Sequence, residues 1–253
     1  MNTSSVFSLQ RFYLVLRRHM MYNQKTLLVS FAAAGAFLLV VSFLNTFTSR
    51  GEFSIETFNI LGMVLLFVGG FLLTSRVFNE LHTPARGQFF LTLPASNLEK
   101  LATAWLVSAP VYTIIALLGL TLVSLLASLL SALAFGSGIM VFNPLTKPVI
   151  FMAGIYLVTQ SVFLLGAVYF RKNNFMKTLL ALFVIQAVIS TVLSLVFYLM
   201  FGRGGFQLTG EEIMVFPAFL TEWLPRIMKV VFWGLTAPFF LVVSYVRLKE
   251  REV

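Results

Sequence analysis

Long uncharged, apolar runs alternate with short polar segments along the chain. A helix needs about 20 apolar residues to cross about 30 Å of hydrocarbon. Six runs fit this length, and they cover residues 26–47, 57–75, 101–135, 149–170, 178–201 and 227–246. The connections between them are too short to fold as independent domains. The pattern predicts an all-α polytopic membrane protein with six transmembrane helices, in which residues 1–253 form a single transmembrane domain.

Basic residues decide between six spans and a seven-span alternative that divides the third run. Cytoplasmic segments of membrane proteins carry an excess of Lys and Arg. With six spans and both termini cytoplasmic, the inner segments hold Arg11, Arg17, Arg18, Lys25, Arg76, Arg86, Lys100, Arg171, Lys172, Lys177, Arg247, Lys249 and Arg251. The outer segments then hold Arg50, Lys147, Arg203, Arg226 and Lys229. A seventh span would move Arg171, Lys172 and Lys177 outside, so we predict six.

The third span is the unusual one, because no charge lies between Lys100 and Lys147. Read as one helix, residues 101–135 would be about 52 Å long, which is well beyond the hydrocarbon thickness. We therefore predict a long helix that is tilted, or bent near Pro110. Its outer end is expected to protrude towards Gly136 and Gly138.

Composition narrows the function classes. The chain is 59% hydrophobic and 11% charged, with a mean hydropathy of +0.93, whereas a soluble domain is about 25% charged. Soluble and disordered proteins are thereby excluded. There is no Cys, all nine acids are Glu, and there are two His, so thiolate chemistry is excluded and we expect no metal or cofactor. The net charge of +9 fits the positive-inside bias and attraction to anionic lipid, and we expect no nucleic-acid partner.

The N-terminal segment is amphipathic. Its apolar residues recur at helical spacing and share one face, and they are Val6, Leu9, Tyr13, Leu16 and Met20. A helix of this kind lies in the membrane interface rather than crossing it. The pattern predicts an in-plane helix over about 5–24. The alternative is a cytosolic tail that packs on the helix bundle.

The inner loop over residues 76–100 ends in a strong local signal. Ser96-x-x-Glu99 directly before an apolar run is typical of a capping box, in which each side chain bonds the other residue's backbone N–H. Glu99 also suits the positive end of a helix dipole. Two interpretations stay open: the box caps the helix and does nothing else, or the rigid helix start forms part of a docking point for a partner.

The outer loop over residues 202–225 is apolar but too short to span. It predicts a re-entrant or interfacial hairpin between helices five and six, broken at Pro217, with Trp223 at headgroup level. The acidic residues Glu211, Glu212 and Glu222 lie in the same loop. They form either ordinary interfacial packing or an outer lid over an exit path.

Groups that would power transport or catalyse a reaction are missing from the sequence. No Asp, Glu or His lies inside a predicted span, although ion-coupled carriers usually place such groups at membrane depth. There is no G-x-x-x-x-G-K-[ST] phosphate loop and no catalytic constellation, so we predict that the chain is not an enzyme. The polar residues inside the spans are Thr159, Gln160, Gln186 and Thr191, and we expect them to hydrogen-bond between helices.

One stretch and the whole layout resemble a known family. Leu93-Pro94-Ala95-Ser96 followed by Glu99-Lys100 resembles a motif at the start of the third span in permease subunits of type 2 ABC transporters. The in-plane helix, six spans and apolar hairpin are similar to the architecture of these exporters. The resemblance implies a second permease copy or paralogue and separate cytosolic ATPase subunits. It implies an ATPase-coupling loop over 76–94, for which the candidate residues are Arg76, Glu80, His82 and Arg86.

We therefore expect a permease that moves a hydrophobic or amphipathic substrate. It would be located in the cell membrane, which in a bacterium is the cytoplasmic membrane. ATP would be hydrolysed on the partner subunit. A non-transporting membrane scaffold or assembly subunit is the main alternative, since the lack of intramembrane charge fits it equally well. A secondary carrier or channel is a third interpretation. A co-purifying ATPase would separate the first interpretation from the other two.

Overall fold

The computed structural model describes residues 7–79, 95–201 and 222–250. Within these ranges the chain forms six long helices and no strand. They are α1 (Leu9–Thr48), α2 (Ile55–Arg76), α3 (Asn97–Phe135), α4 (Lys147–Tyr169), α5 (Asn174–Phe201) and α6 (Leu224–Lys249). All six are long and apolar enough to cross a membrane. The predicted all-α, six-span architecture of a multi-pass membrane protein is confirmed, while the cytoplasmic location of the termini stays a prediction.

α1 joins two segments that the sequence analysis separated. Its 40 residues run without a break from Leu9 to Thr48, and no Gly or Pro lies between Leu9 and Ala34 to interrupt it. Leu9 and Tyr13 of the predicted apolar stripe are 75% and 61% exposed, so they face away from the bundle. From Leu9 onward, the predicted separate in-plane helix over about 5–24 is thus the first part of a longer helix, while residues 5 and 6 lie outside the described residues. Whether this part lies in the membrane interface stays a prediction.

α3 is one helix of 39 residues, about 58 Å long. This confirms the single long third span over the seven-span alternative. The expected irregularity near Pro110 is a π-helical turn over Val107–Val111 inside the helix. α3 ends at Phe135, Gly136 follows with a left-handed φ of 71°, and the chain then returns along the helix. Phe142 is buried, and its backbone N–H donates to the Ser124 hydroxyl oxygen at 2.9 Å.

α4 lies at the centre of the bundle and α5 at its edge. Half of the membrane-spanning window of α4 is buried, whereas none of the window of α5 is. A column of aromatic rings joins α4 to α2. Phe71 stacks on Phe163 with 4.1 Å between ring centroids, and the Tyr156 ring lies 5.7 Å from Phe71. A Cβ at Gly70 would overlap the Tyr156 ring, so glycine is needed for this close approach.

Candidate functional site

Most basic side chains gather at one end of the bundle, where α1, α3 and α5 begin and α2, α4 and α6 end. We call this the basic end. The basic residues described at or near it are Arg11, Arg17, Arg18, Lys25, Arg76, Lys100, Arg171, Lys172, Lys177, Arg247 and Lys249. Four described basic residues belong to the opposite end, namely Arg50, Lys147, Arg226 and Lys229. The predicted ATPase-coupling loop leaves α2 and enters α3 at the basic end, so we take this end as the candidate functional site.

The predicted capping box is present at the start of α3. The Ser96 hydroxyl oxygen accepts from the Glu99 backbone N–H at 3.2 Å. In return, the Glu99 Oε2 atom accepts from the Ser96 backbone N–H at 2.8 Å. These bonds satisfy two helix-terminal donors that would otherwise have no partner. The sequence prediction for Ser96 and Glu99 is confirmed.

The second carboxylate oxygen of Glu99 binds the N-terminal helix. Glu99 Oε1 accepts from the Ser8 backbone N–H at 2.6 Å and from Arg11 Nη2 and Nε at 3.0 and 3.2 Å. The Glu99 side chain is completely buried, while that of Arg11 is 32% exposed. One carboxylate therefore joins the beginnings of α1 and α3, an arrangement that we call the Glu99 junction.

No local sequence pattern predicts the Glu99 junction, because Arg11 and Glu99 are 88 positions apart. The only sequence signal is that Arg11 lies off the apolar stripe of its helix. A guanidinium on the bundle-facing side of an otherwise amphipathic helix needs an acidic partner. The chain offers few acids for this role, since it has nine Glu and no Asp.

A second polar contact at the basic end joins α5 to α2. The Asn174 side-chain amide donates to the Ser75 carbonyl oxygen at 3.2 Å, and Asn174 is buried. One turn later, the Thr178 hydroxyl donates to the Asn174 carbonyl oxygen and lies against Gly166 of α4. The beginning of α5 is therefore fixed to the bundle.

A buried polar cluster surrounds the π-helical turn of α3. The backbone N–H of Tyr112 reaches the Val107 and Ala109 carbonyls, so the Ser108 carbonyl loses the partner that a regular helix would give it. The Tyr156 hydroxyl donates to that carbonyl at 2.6 Å. Gln160 Nε2 donates to the Ser108 hydroxyl oxygen at 2.6 Å. Two side chains of α4 thus satisfy an irregular turn of α3 inside the bundle.

The expectation that intramembrane polar residues bond between helices is only partly right. It holds for Gln160, which reaches α3. Thr159 and Thr191 instead donate to carbonyls of their own helices, and Gln186 donates to Ser190 one turn along α5. The physical reason is that a hydroxyl on a helix can always reach the carbonyl four residues earlier. An interhelical bond needs a neighbouring helix within reach.

The other predicted site residues divide by location. Arg76 is the last residue of α2 and is exposed. The coupling-loop residues Glu80, His82 and Arg86 and the lid residues Glu211 and Glu212 lie outside the described residues. Glu222 and Trp223 are described and exposed. Glu222 pairs with Arg226 at 4.0 Å across one helical turn, and an exposed pair of this kind contributes little stability.

No protein-family model, curated protein or solved structure matches this chain. In the ranges that the structure describes, no three His or Glu side chains lie close enough together to hold a metal ion. What the basic end offers is a set of mechanical connections. The Glu99 junction joins α1 to α3, and Asn174 joins α5 to α2. Along the chain, Ser75 of the second contact precedes the connection from α2 to α3, and Glu99 of the first follows it. These bonds tie the beginnings of α1, α3 and α5 to one another or to the bundle.

Proposed function

We propose that this chain is the permease subunit of an ATP-driven exporter of the type 2 ABC class. It would work with a separate cytosolic ATPase subunit and a second permease copy or paralogue, in the cytoplasmic membrane of a bacterium. Both termini and the basic end would face the cytoplasm. Its substrate would be hydrophobic or amphipathic, because the spans provide few charges that could bind a sugar or an ion.

The observation that carries the proposal is the Glu99 junction beside the predicted coupling loop. The loop leaves α2 after Arg76 and enters α3 at the capping box of Ser96 and Glu99. Because Glu99 also binds Ser8 and Arg11, a displacement of the α3 start would move the start of α1 with it. An ATPase that pushes on the loop would therefore act on two spans at once. Simple capping would not require the second set of bonds.

The exposed surface of α5 supports the need for a second membrane subunit. Every described side chain from Leu182 to Leu199 is exposed. Lipid can cover the apolar ones, but Gln186, Ser190 and Ser194 recur at four-residue spacing and share one face. Polar side chains at membrane depth generally face protein, where they find hydrogen-bond partners. We call this face the α5 polar stripe and assign the second permease subunit to it.

The test is a pull-down of the tagged full chain from its native membranes in mild detergent, with co-purifying proteins identified by mass spectrometry. The proposal expects a stoichiometric protein with a P-loop ATPase sequence. The charge reversals Glu80→Arg and Arg86→Glu in the loop should each reduce its recovery. Lys172→Glu, in the exposed connection between α4 and α5 at the same end, is the matched control and should retain the ATPase.

Three outcomes would contradict all or part of the proposal. Partners without any ATPase would make the scaffold or assembly subunit the better interpretation. An ATPase whose recovery is unaffected by both loop reversals would retain the exporter but remove the coupling role from this loop. Transport by vesicles that contain the chain alone and an ion gradient would favour the secondary carrier.

A further inference from the structure

A partly enclosed cavity of about 260 Å³ lies between α1, α2 and α3. For scale, an engineered apolar cavity of about 150 Å³ is large enough to bind benzene. The lining on α2 extends from Gly62 to Val77, which is about 22 Å at 1.5 Å per residue. One leaflet of hydrocarbon is about 15 Å thick, half of the bilayer core. The cavity is therefore long enough to take an alkyl chain lengthwise.

The cavity is charged at one end and mostly apolar along the rest of its length. Its ionisable lining residues, His19 of α1 and Arg76 of α2, both lie at the basic end, while the small polar residues Thr26 and Ser30 follow along α1 as far as the middle of the lining. The rest of the lining is Leu, Phe, Ala, Gly and Val, together with Tyr112. The Tyr112 hydroxyl already donates to the Leu66 carbonyl oxygen at 2.9 Å. This distribution of polar and apolar residues fits an amphiphilic ligand better than a water-soluble or a wholly apolar one.

The charge at the polar end is positive. Arg76 is exposed in the last turn of α2, and among the described residues no carboxylate forms an ion pair with it. The two carboxylates described at this end are already bonded, Glu99 to Arg11 and Glu250 to Arg247. Arg17, which is exposed two residues before His19 on α1, adds further positive charge. An anionic group at the cavity mouth is therefore favoured over a neutral or cationic one.

One glycine in the cavity lining, Gly119, is not required by the packing of the described residues around it. A Cβ at Gly119 of α3 would meet no atom within 4 Å, whereas one at Gly62 or Gly69 would press on Leu120 or on the Tyr112 hydroxyl. Glycine weakens a helix interior relative to alanine. At Gly119 no close contact between two helices compensates for this loss of helix stability. Its effect is to leave space on the cavity side of α3.

We propose that this cavity binds an acyl chain of an anionic membrane phospholipid, with the phosphate held at the basic end by Arg76. The apolar length accommodates the chain, the polar end receives the ester and phosphate groups, and Gly119 provides room beside the chain. The site lies within a single chain. It therefore goes beyond the exporter function and does not depend on an ATPase partner.

The test is native mass spectrometry of the detergent-purified full chain, titrated with phosphatidylglycerol or phosphatidylcholine that carry identical acyl chains. The intact chain should bind phosphatidylglycerol about fivefold more tightly, as expected for one basic side chain at an anionic headgroup. Gly119→Phe fills the cavity and should abolish the first tight binding step. Gly234→Phe is the matched control, because Gly234 of α6 likewise has no atom within 4 Å of a Cβ and lies outside the cavity.

A second variant keeps the test decisive if Gly119→Phe fails to fold. Arg76→Gln changes an exposed side chain, and it should bind both lipids with equal affinity. Arg171→Gln, also exposed at the basic end, should keep the preference for phosphatidylglycerol. Equal binding of the two lipids by the unmodified chain would overturn the proposal and indicate ordinary annular lipid. A preference that survives Arg76→Gln would overturn it as well.

Discussion

At the scale of single residues, the Glu99 carboxylate accepts four hydrogen bonds while it is completely buried. Two bonds come from backbone N–H groups and two from the Arg11 guanidinium. A buried carboxylate is costly unless its charge and its lone pairs are satisfied. Here both conditions are met, and the result is a connection between chain segments that are far apart in sequence.

Replacing Glu99 by Gln should destabilise the protein strongly. Gln keeps the size but cannot accept all four bonds, and it leaves Arg11 without its counter-charge. We expect a loss of about 2 kcal/mol, which corresponds to about 4–8 °C in Tm for a chain of this size. The control is Glu56→Gln, since Glu56 is also in the first turn of a helix but is exposed. Thermal unfolding in detergent measures both, and equal losses would contradict the junction.

At the scale of helices, the positions of the spans could be predicted closely from sequence patterns. The irregularities within the helices could be predicted less well. Each predicted span overlaps one observed helix, because length and hydropathy alone decide what can cross hydrocarbon. The capping box was predictable because Ser96 and Glu99 lie within one turn. The continuity of α1 was not predictable, since a change from amphipathic to uniformly apolar sequence does not require a break in the helix. The form that the irregularity at Pro110 takes was not predictable either, because Tyr156 of α4 satisfies it.

The π-helical turn of α3 gives a second prediction. Tyr156→Phe removes the hydroxyl that bonds the Ser108 carbonyl, and it leaves that buried acceptor without its partner. We expect a loss of about 1–3 kcal/mol, measured as a lower Tm in detergent. Tyr198→Phe is the control, because Tyr198 of α5 is 59% exposed and should tolerate the change. If Tyr156→Phe were as stable as Tyr198→Phe, the carbonyl would have to be satisfied in another way.

At the scale of the whole molecule, the bundle is unevenly packed. α4 is surrounded by its neighbours, whereas α5 is joined to the bundle mainly near its beginning, where Asn174 bonds α2 and Thr178 and Phe175 contact α4. The remainder of α5 presents the polar stripe of Gln186, Ser190 and Ser194 to its surroundings. No sequence pattern could have shown this, because hydropathy does not tell a lipid-facing helix from one that a second subunit covers.

A photo-crosslinking amino acid should identify what covers the α5 polar stripe. Placed at Ser190 in native membranes, it should yield a crosslinked product with a second permease chain, seen as a larger band and identified by mass spectrometry. Val188 is the control position. It is also exposed, and it lies about 160° around the same helix from Ser190 at 100° per residue. Protein crosslinks of equal yield at both positions, or at neither, would contradict a subunit contact at the stripe.

The orientation of the molecule can be tested with single cysteines, since the chain has no Cys of its own. Leu145 precedes α4 at the opposite end and is 80% exposed, and Lys172 is exposed at the basic end. A membrane-impermeant maleimide should label Leu145→Cys in intact cells. It should label Lys172→Cys only after the membrane is permeabilised. The reverse pattern would place the basic end and both termini outside the cytoplasm.

The bonds between α1 and α3 lie at both ends of these helices, and this limits how the protein can move. Besides the Glu99 junction, the Thr46 and Ser131 hydroxyls are hydrogen-bonded at 3.3 Å, and both residues are completely buried. The two attachment points are about 52 Å apart along α1 and about 48 Å apart along α3. Two helices clamped at both ends rotate and translate as one rigid body. A conformational cycle that preserves both clamps must find its hinges elsewhere. α5 is attached to this bundle mainly near its beginning, so it is the helix whose far end can move relative to α1 and α3, together with any subunit that covers its polar stripe.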